Sequence, residues 1–172
     1  DRKKNDYKFN LRDGYRYHSR NIITQSVFDL RRTIDFIEQS ENLDGTRIGY
    51  FGISLGGVIG TILSGVDERI KVPVIALAGG RMNFMYGSKA FSKSIQSFFL
   101  PIDPIHYVRN ISPRPLLMIN ADQDEVIPPI TSKFLYRKAK KPKEIIWYPA
   151  RHRSLPVDKA FADGIHWYEN HL

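Results

Sequence analysis

The nine residues "VPVIALAGG", 72–80, form an apolar run without a single charged side chain. A strand with one wet face alternates apolar and polar residues, whereas a strand covered on both faces reads as an unbroken apolar run. The second pattern implies a parallel sheet sandwiched between helices. The rest of the chain supplies them. From residue 21 to about 42, Ile23, Val27, Leu30, Ile34 and Ile37 recur at steps of four and three, an apolar stripe along one helix. "RIGYFGI" (47–53), "LLMIN" (116–120) and "EIIWY" (144–148) read as further strands, while 55–66, 130–139 and 156–172 read as helices, the last with Pro156 in its first turn. Strands and helices in alternation specify an α/β fold with a parallel sheet and helices on both faces, and place any chemistry at the carboxyl ends of the strands.

At 172 residues and 42% hydrophobic content the chain is expected to be a single domain, 1–172, with one substantial core. The 26 Lys and Arg outnumber 18 Asp and Glu, giving a formal charge of +8. Much of the excess lies in a basic arm, residues 1–20, and in a segment around 133–143. Neither cluster has the aromatic interleaving or the module of a nucleic-acid binder, so both read as solvated faces and no nucleic-acid partner is expected. Attraction of an anionic partner by the arm is the competing use. With no cysteine, disulfides and thiolate metal sites are excluded, and no two histidines are spaced as a zinc pair. No apolar run reaches the ~18 residues of a membrane span and no leader pattern is visible, so a cytoplasmic location is expected. Oligomeric state leaves no mark on the sequence.

One short motif carries chemistry. In "RIGYFGISLGG" Gly52, Ser54 and Gly56 occupy alternate positions between a strand and a helix. That is the context of a nucleophile elbow, where the backbone turns so sharply that β-carbons at Gly52 and Gly56 are expected to collide. A serine hydroxyl is a weak nucleophile, so it needs a base to take its proton and an acid to orient the base. Asp122, Asp124 and Glu125 follow the strand at 116–120, and His152 follows the strand at 144–148. Asp122 competes with Asp124 as the acid, and Glu125 reads as facing solvent. Four other histidines, His18, His106, His166 and His171, read as surface or packing residues. Residues 81–105, rich in aromatics, read first as helices packed on the core, with a cap over a pocket as the alternative and pocket lining as an additional role.

These phrases, together with "DGTRIGYFGISLGG", "ISPRPLLMINADQDEVIPP" and "YPARH" before a terminal helix, resemble the α/β-hydrolase superfamily. The likeness is to the acetyl-esterase, dienelactone-hydrolase-like and prolyl-oligopeptidase-like branches. It implies Ser54 as nucleophile, Asp124 as acid, His152 as base and the Leu55 backbone N–H as one oxyanion donor, with no cofactor. The expected activity is a serine carboxylesterase acting on small-molecule esters of short acyl groups. A peptidase, a thioesterase and an inactive scaffold of the same fold share the signature. The resemblance spans the family's C-terminal two-thirds. A His-Gly loop that supplies the second oxyanion donor is not recognisable before residue 21, and the fold is expected to be incomplete at its N-terminus. Ala121 stands where the family's acid loop carries glycine.

Overall fold

The computed structural model describes residues 16–172, so most of the basic arm lies outside the described residues. Helix α1 spans Arg16–Gln39, and the chain then runs β1 (Ile48–Ile53), α2 (Leu55–Val66) and β2 (Ile70–Ala76). A 3-10 segment (Met82–Lys89) and α3 (Lys93–Phe99) precede β3 (Leu116–Ala121), α4 (Pro129–Lys138), β4 (Lys143–Tyr148) and α5 (Val157–His171). The four strands form one parallel sheet in the order β1-β2-β3-β4. Among the described residues β1 pairs only with β2, so its other edge carries no strand.

Strand side chains divide by the period of two. Leu116 and Met118 on β3 face a core shared with α1, α2, α3 and α4, while Leu117, Ile119 and Ala121 face a second core under α5. Val74 and Ala76 on β2 join the α5 side and Ile75 the opposite side, which explains why the run at 72–80 has no polar alternation. The strand nevertheless ends before the run does. Leu77 adopts φ 48° while its N–H still donates to the Ile119 carbonyl at 2.8 Å, and beyond it Gly80 N–H donates to the Thr131 carbonyl at 3.1 Å, so residues 78–80 are apolar because they lie buried beside α4.

Helix α1 extends ahead of its apolar stripe, over residues 16–20. The guanidinium groups of Arg16 and Arg20 lie 5.0 and 5.2 Å from the Tyr17 ring centroid, and that ring meets Phe98 edge-on at 5.3 Å. Pro156 sits at the cap position of α5, one residue before the helix, since its fixed φ and missing N–H suit that boundary.

Three arginines fasten the far end of α2. Asp67 caps that helix, and its carboxylate accepts from Arg69 Nε at 2.8 Å and from Arg31 Nε of α1 at 3.1 Å. Arg69 also reaches Asp35 (2.6 Å) and Glu38 (2.7 Å) on α1. Arg114 donates to the carbonyls of Asp67 (3.0 Å), Ile70 (2.6 Å) and Ser64, satisfying orphan acceptors at the helix end. No described helix is long and apolar enough to cross a membrane.

The Asp67 carboxyl is held down to about 2, first by its bonds to Arg69 and against the opposing effect of burial. A folded-state value below the unfolded one means that its stabilisation is complete above about pH 4 and is lost as pH falls through about 2. Asp67→Asn should therefore lower stability at pH 7 and flatten its decline between those limits, as read by urea denaturation across the pH series.

Candidate active site

The site is built where β1 becomes α2. Ser54 takes φ 56° and ψ −114°, a backbone conformation that L-residues rarely adopt and that costs on the order of 1–3 kcal/mol. Its neighbours hold it there. Ser54 N–H donates to the Ala76 carbonyl at 2.9 Å, extending the β1-β2 ladder by one residue, and its carbonyl accepts from Val58 N–H at 3.0 Å, the first bond of α2. The same residue closes the sheet and opens the helix, so its side chain is raised at the sheet's carboxyl edge.

Clearance at this turn comes from Gly52 and Gly57. A β-carbon on Gly52 would lie 2.6 Å from the Gly56 carbonyl carbon, and one on Gly57 would lie 2.6 Å from the Ala76 oxygen and 2.9 Å from Ala78 Cβ. The expected collision at Gly56 does not occur: a β-carbon there meets only the Tyr50 hydroxyl, at 3.9 Å. Sequence reasoning assigned the turn's clearance to Gly56 rather than Gly57 and missed Tyr50. The Tyr50 hydroxyl donates to the Gly56 carbonyl at 2.7 Å, tying β1 to the first turn of α2, and burial pushes its ionisation up to about 12. The alternation Tyr50/Phe51, one ring toward each core, is the signal that places it.

The loop after β3 delivers the carboxylate. Asp124 is 5% exposed, and its Oδ1 accepts from Val126 N–H (2.8 Å) and Ile127 N–H (2.7 Å). These bonds fix the group and leave Oδ2 facing His152, whose Nδ1 lies 2.8 Å away. The Nε2 atom of the same imidazole lies 2.9 Å from Ser54 Oγ. Three residues brought together from separate loops thus form one hydrogen-bonded series. Asp122 is exposed, and its N–H donates to the Tyr148 carbonyl at 3.0 Å, so its role is to join the loop to β4.

Glu125 is exposed, as expected, but it is not idle. Its Oε2 accepts from the His152 backbone N–H at 3.3 Å, and backbone N–H donors, its own and that of His152, hold its carboxyl below the usual range. Of the other histidines, exposed His18 lies on α1, His106 ends a short 3-10 turn, and His166 and His171 lie exposed on α5, where His171 packs on Trp167 at 4.0 Å. Leu55 is the first residue of α2, so its N–H belongs to the donors that a helix leaves without an internal acceptor.

A cavity of about 30 Å³ is lined by Val58 of α2, Gly79 and Met82 after β2, Val126 and Ile127 of the loop that carries Asp124, and Thr131 of α4. Of the residues at 81–105, Ile95, Phe98 and Phe99 are buried in the core, whereas Phe91 is 70% exposed.

The family model for serine hydrolases (FSH1) matches residues 2–165. The chain belongs to this serine hydrolase family. It is 29% identical over 128 residues to the α/β-hydrolase domain-containing protein WAV2 of Arabidopsis thaliana, covering 66% of this chain and 41% of that protein. The acetyl esterase Axe7A of Xylanibacter ruminicola is 24% identical over 152 residues, 81% of this chain and 34% of that protein. The serine hydrolase chain thus spans less than half the length of these curated relatives. Among solved structures, the acetyl xylan esterase of Paenibacillus sp. R4 superposes with a TM-score of 0.73 at 22% identity, covering 86% of this chain and 52% of that one, which establishes the α/β-hydrolase fold.

The glycine geometry yields a contrast. Gly52→Ala should cost about 2–4 kcal/mol of stability, because the atom it meets is helix backbone. Gly56→Ala should stay within about 1 kcal/mol of wild type, as helix propensity favours alanine by a similar amount. Urea midpoints of the two variants measure the difference.

Proposed function

We propose that this chain carries the centre of a serine esterase that cleaves carboxylic esters of short acyl groups through an acyl intermediate on Ser54. The observation that supports it most is the series Ser54 Oγ, His152 imidazole, Asp124 carboxylate at 2.9 and 2.8 Å on a strained strand-to-helix turn. With Nδ1 donating to Asp124, Nε2 presents a lone pair to the serine hydroxyl.

The chemistry follows from that arrangement. Ser54 Oγ attacks the ester carbonyl carbon while His152 Nε2 takes its proton, and Asp124 stabilises the imidazolium without accepting the proton. The oxyanion that develops lies near the N-terminal end of α2, where the Leu55 N–H donates to it; one such donor contributes about 3 kcal/mol to lowering the barrier. The C–O bond to the leaving alcohol breaks as His152 returns the proton to that oxygen. Water then attacks the acyl carbon, gives its proton to Nε2, and the carboxylic acid departs as Ser54 recovers its hydrogen.

Ester rather than amide chemistry draws support from the acetyl esterase and acetyl xylan esterase among the similar proteins. Short acyl length draws support from the cavity between Val58 of α2 and the loop that carries Asp124, whose volume of about 30 Å³ is on the scale of one or two small groups. Its walls are apolar side chains of Val58, Met82, Val126 and Ile127, which suit a methyl or ethyl group.

Rates on p-nitrophenyl acetate, butyrate and octanoate, an acetyl thioester and a peptide p-nitroanilide test the reading. Acetate should exceed octanoate in kcat/KM by about tenfold or more. Ser54→Ala should lower the acetate rate on the order of 10⁴-fold or more while leaving the fold intact. A preference for the anilide or for octanoate contradicts the proposal.

A further inference from the structure

The residues after β2 build a second site that the hydrolytic chemistry does not use. Arg81 adopts φ 59° and ψ 49°, a left-handed conformation uncommon for a side chain of its size. The buried Asp103 holds it there: Oδ1 accepts from Arg81 N–H at 2.9 Å and from Ile105 N–H at 3.0 Å, and Oδ2 accepts from Met82 N–H at 2.7 Å. All three bonds go to backbone donors, so the Asp103 carboxylate fixes where Arg81 points rather than pairing with its charge. The guanidinium then rests on an aromatic face, 4.5 Å from the Phe134 centroid and 5.7 Å from that of Phe84.

Other cations crowd the same place. Arg137 lies 5.9 Å from the same Phe134 ring, and Lys138 follows it at the end of α4. Placement in the last turn of a helix accounts for Arg137 and Lys138, whose charges complement the helix dipole. It does not account for Arg81. Among the described residues none of these three side chains forms an ion pair with a carboxylate, so their charges stay available to a ligand.

A cavity opens at this cluster. It holds about 380 Å³, within the range of small-molecule sites, and pairs the cations Arg81 and Lys138 with the rings of Phe84, Phe91 and Phe99, beside His106 and the Asp103 carboxylate that is already engaged by backbone donors. A shallower cavity of about 190 Å³ continues it along Arg81, Phe134 and Arg137. The Gly80 to Met82 backbone separates both from the small cavity lined by Val58 and Ile127: Met82 lines one side and Arg81 the other.

From this geometry we infer that the serine hydrolase has a binding site for a small organic anion, a carboxylate or phosphate monoester carried on an aromatic body. The anionic group is received by the guanidinium fork of Arg81 with Lys138 beside it, and the aromatic body lies against Phe84 and Phe91. Guanidinium is suited to the task because its planar donors match either oxyanion.

Calorimetric titration with benzoate, phenyl phosphate, inorganic phosphate and benzyl alcohol tests the site without any reliance on catalysis, and Ser54→Ala should bind as wild type does. Benzoate or phenyl phosphate should bind saturably, more tightly than inorganic phosphate or benzyl alcohol, with affinity falling as salt is added. The preferred probe of the two identifies the oxyanion. Arg81→Gln and Lys138→Gln should each weaken binding about tenfold, whereas Arg109→Gln, an exposed cation outside the cavity, should leave it unchanged. Absence of saturable binding at 10 mM overturns the inference. So does equal affinity for benzyl alcohol, or binding undiminished in both cavity variants.

Discussion

Everything at the site depends on the backbone of one residue. Ser54 is held at φ 56° because the sheet claims its N–H through Ala76 and the helix claims its carbonyl through Val58. No relaxed conformation satisfies both bonds across so short a connection. The strain is maintained by packing below it: the missing β-carbons of Gly52 and Gly57 let α2 approach β1 and β2, and the Tyr50 hydroxyl locks the helix's first turn from the strand side. At its other end α2 is held by Asp67, Arg69 and Arg114, so the helix that displays the serine is fixed at both termini. Strain of this kind persists only where the surroundings over-determine the conformation.

The partners of Ser54 are positioned by the same logic, with backbone donors rather than bulk. The Asp124 carboxylate uses one oxygen on two loop N–H groups and thereby aims the other at His152. The His152 backbone is in turn anchored by Glu125, the neighbour of that aspartate. Register between β3 and β4 carries the two loops, since Asp122 and Gln123 bond to the carbonyls of Tyr148 and Ala150. A shift of one residue in that pairing would separate acid from base.

Much of this arrangement was legible in the residues. Apolar runs at 72–80 and 116–119 announced buried strands, and the order of Ser54, Asp124 and His152 along the chain anticipated their meeting. Other features were hidden for physical reasons. The run at 72–80 outlasts its strand because burial, not pairing, dictates apolar residues at 78–80, and periodicity does not separate the two. Helix α1 includes residues 16–20, which carry no apolar stripe, and arginine stacking on Tyr17 stabilises that turn. Gly56 looked like the clearance residue from its place in the motif, whereas the contact that matters falls on Gly57, whose neighbours Ala76 and Ala78 are distant in sequence. Long-range contacts of that sort, like the Asp103 clamp on Arg81, leave no local pattern.

The central claim is that Ser54, alone among the chain's serines, is chemically activated by its setting. Mass spectrometry of the folded protein after exposure to a fluorophosphonate measures this directly. The account predicts one adduct per chain, mapped to Ser54 and lost in Ser54→Ala. An unlabelled folded protein, or an adduct on another residue, would contradict it.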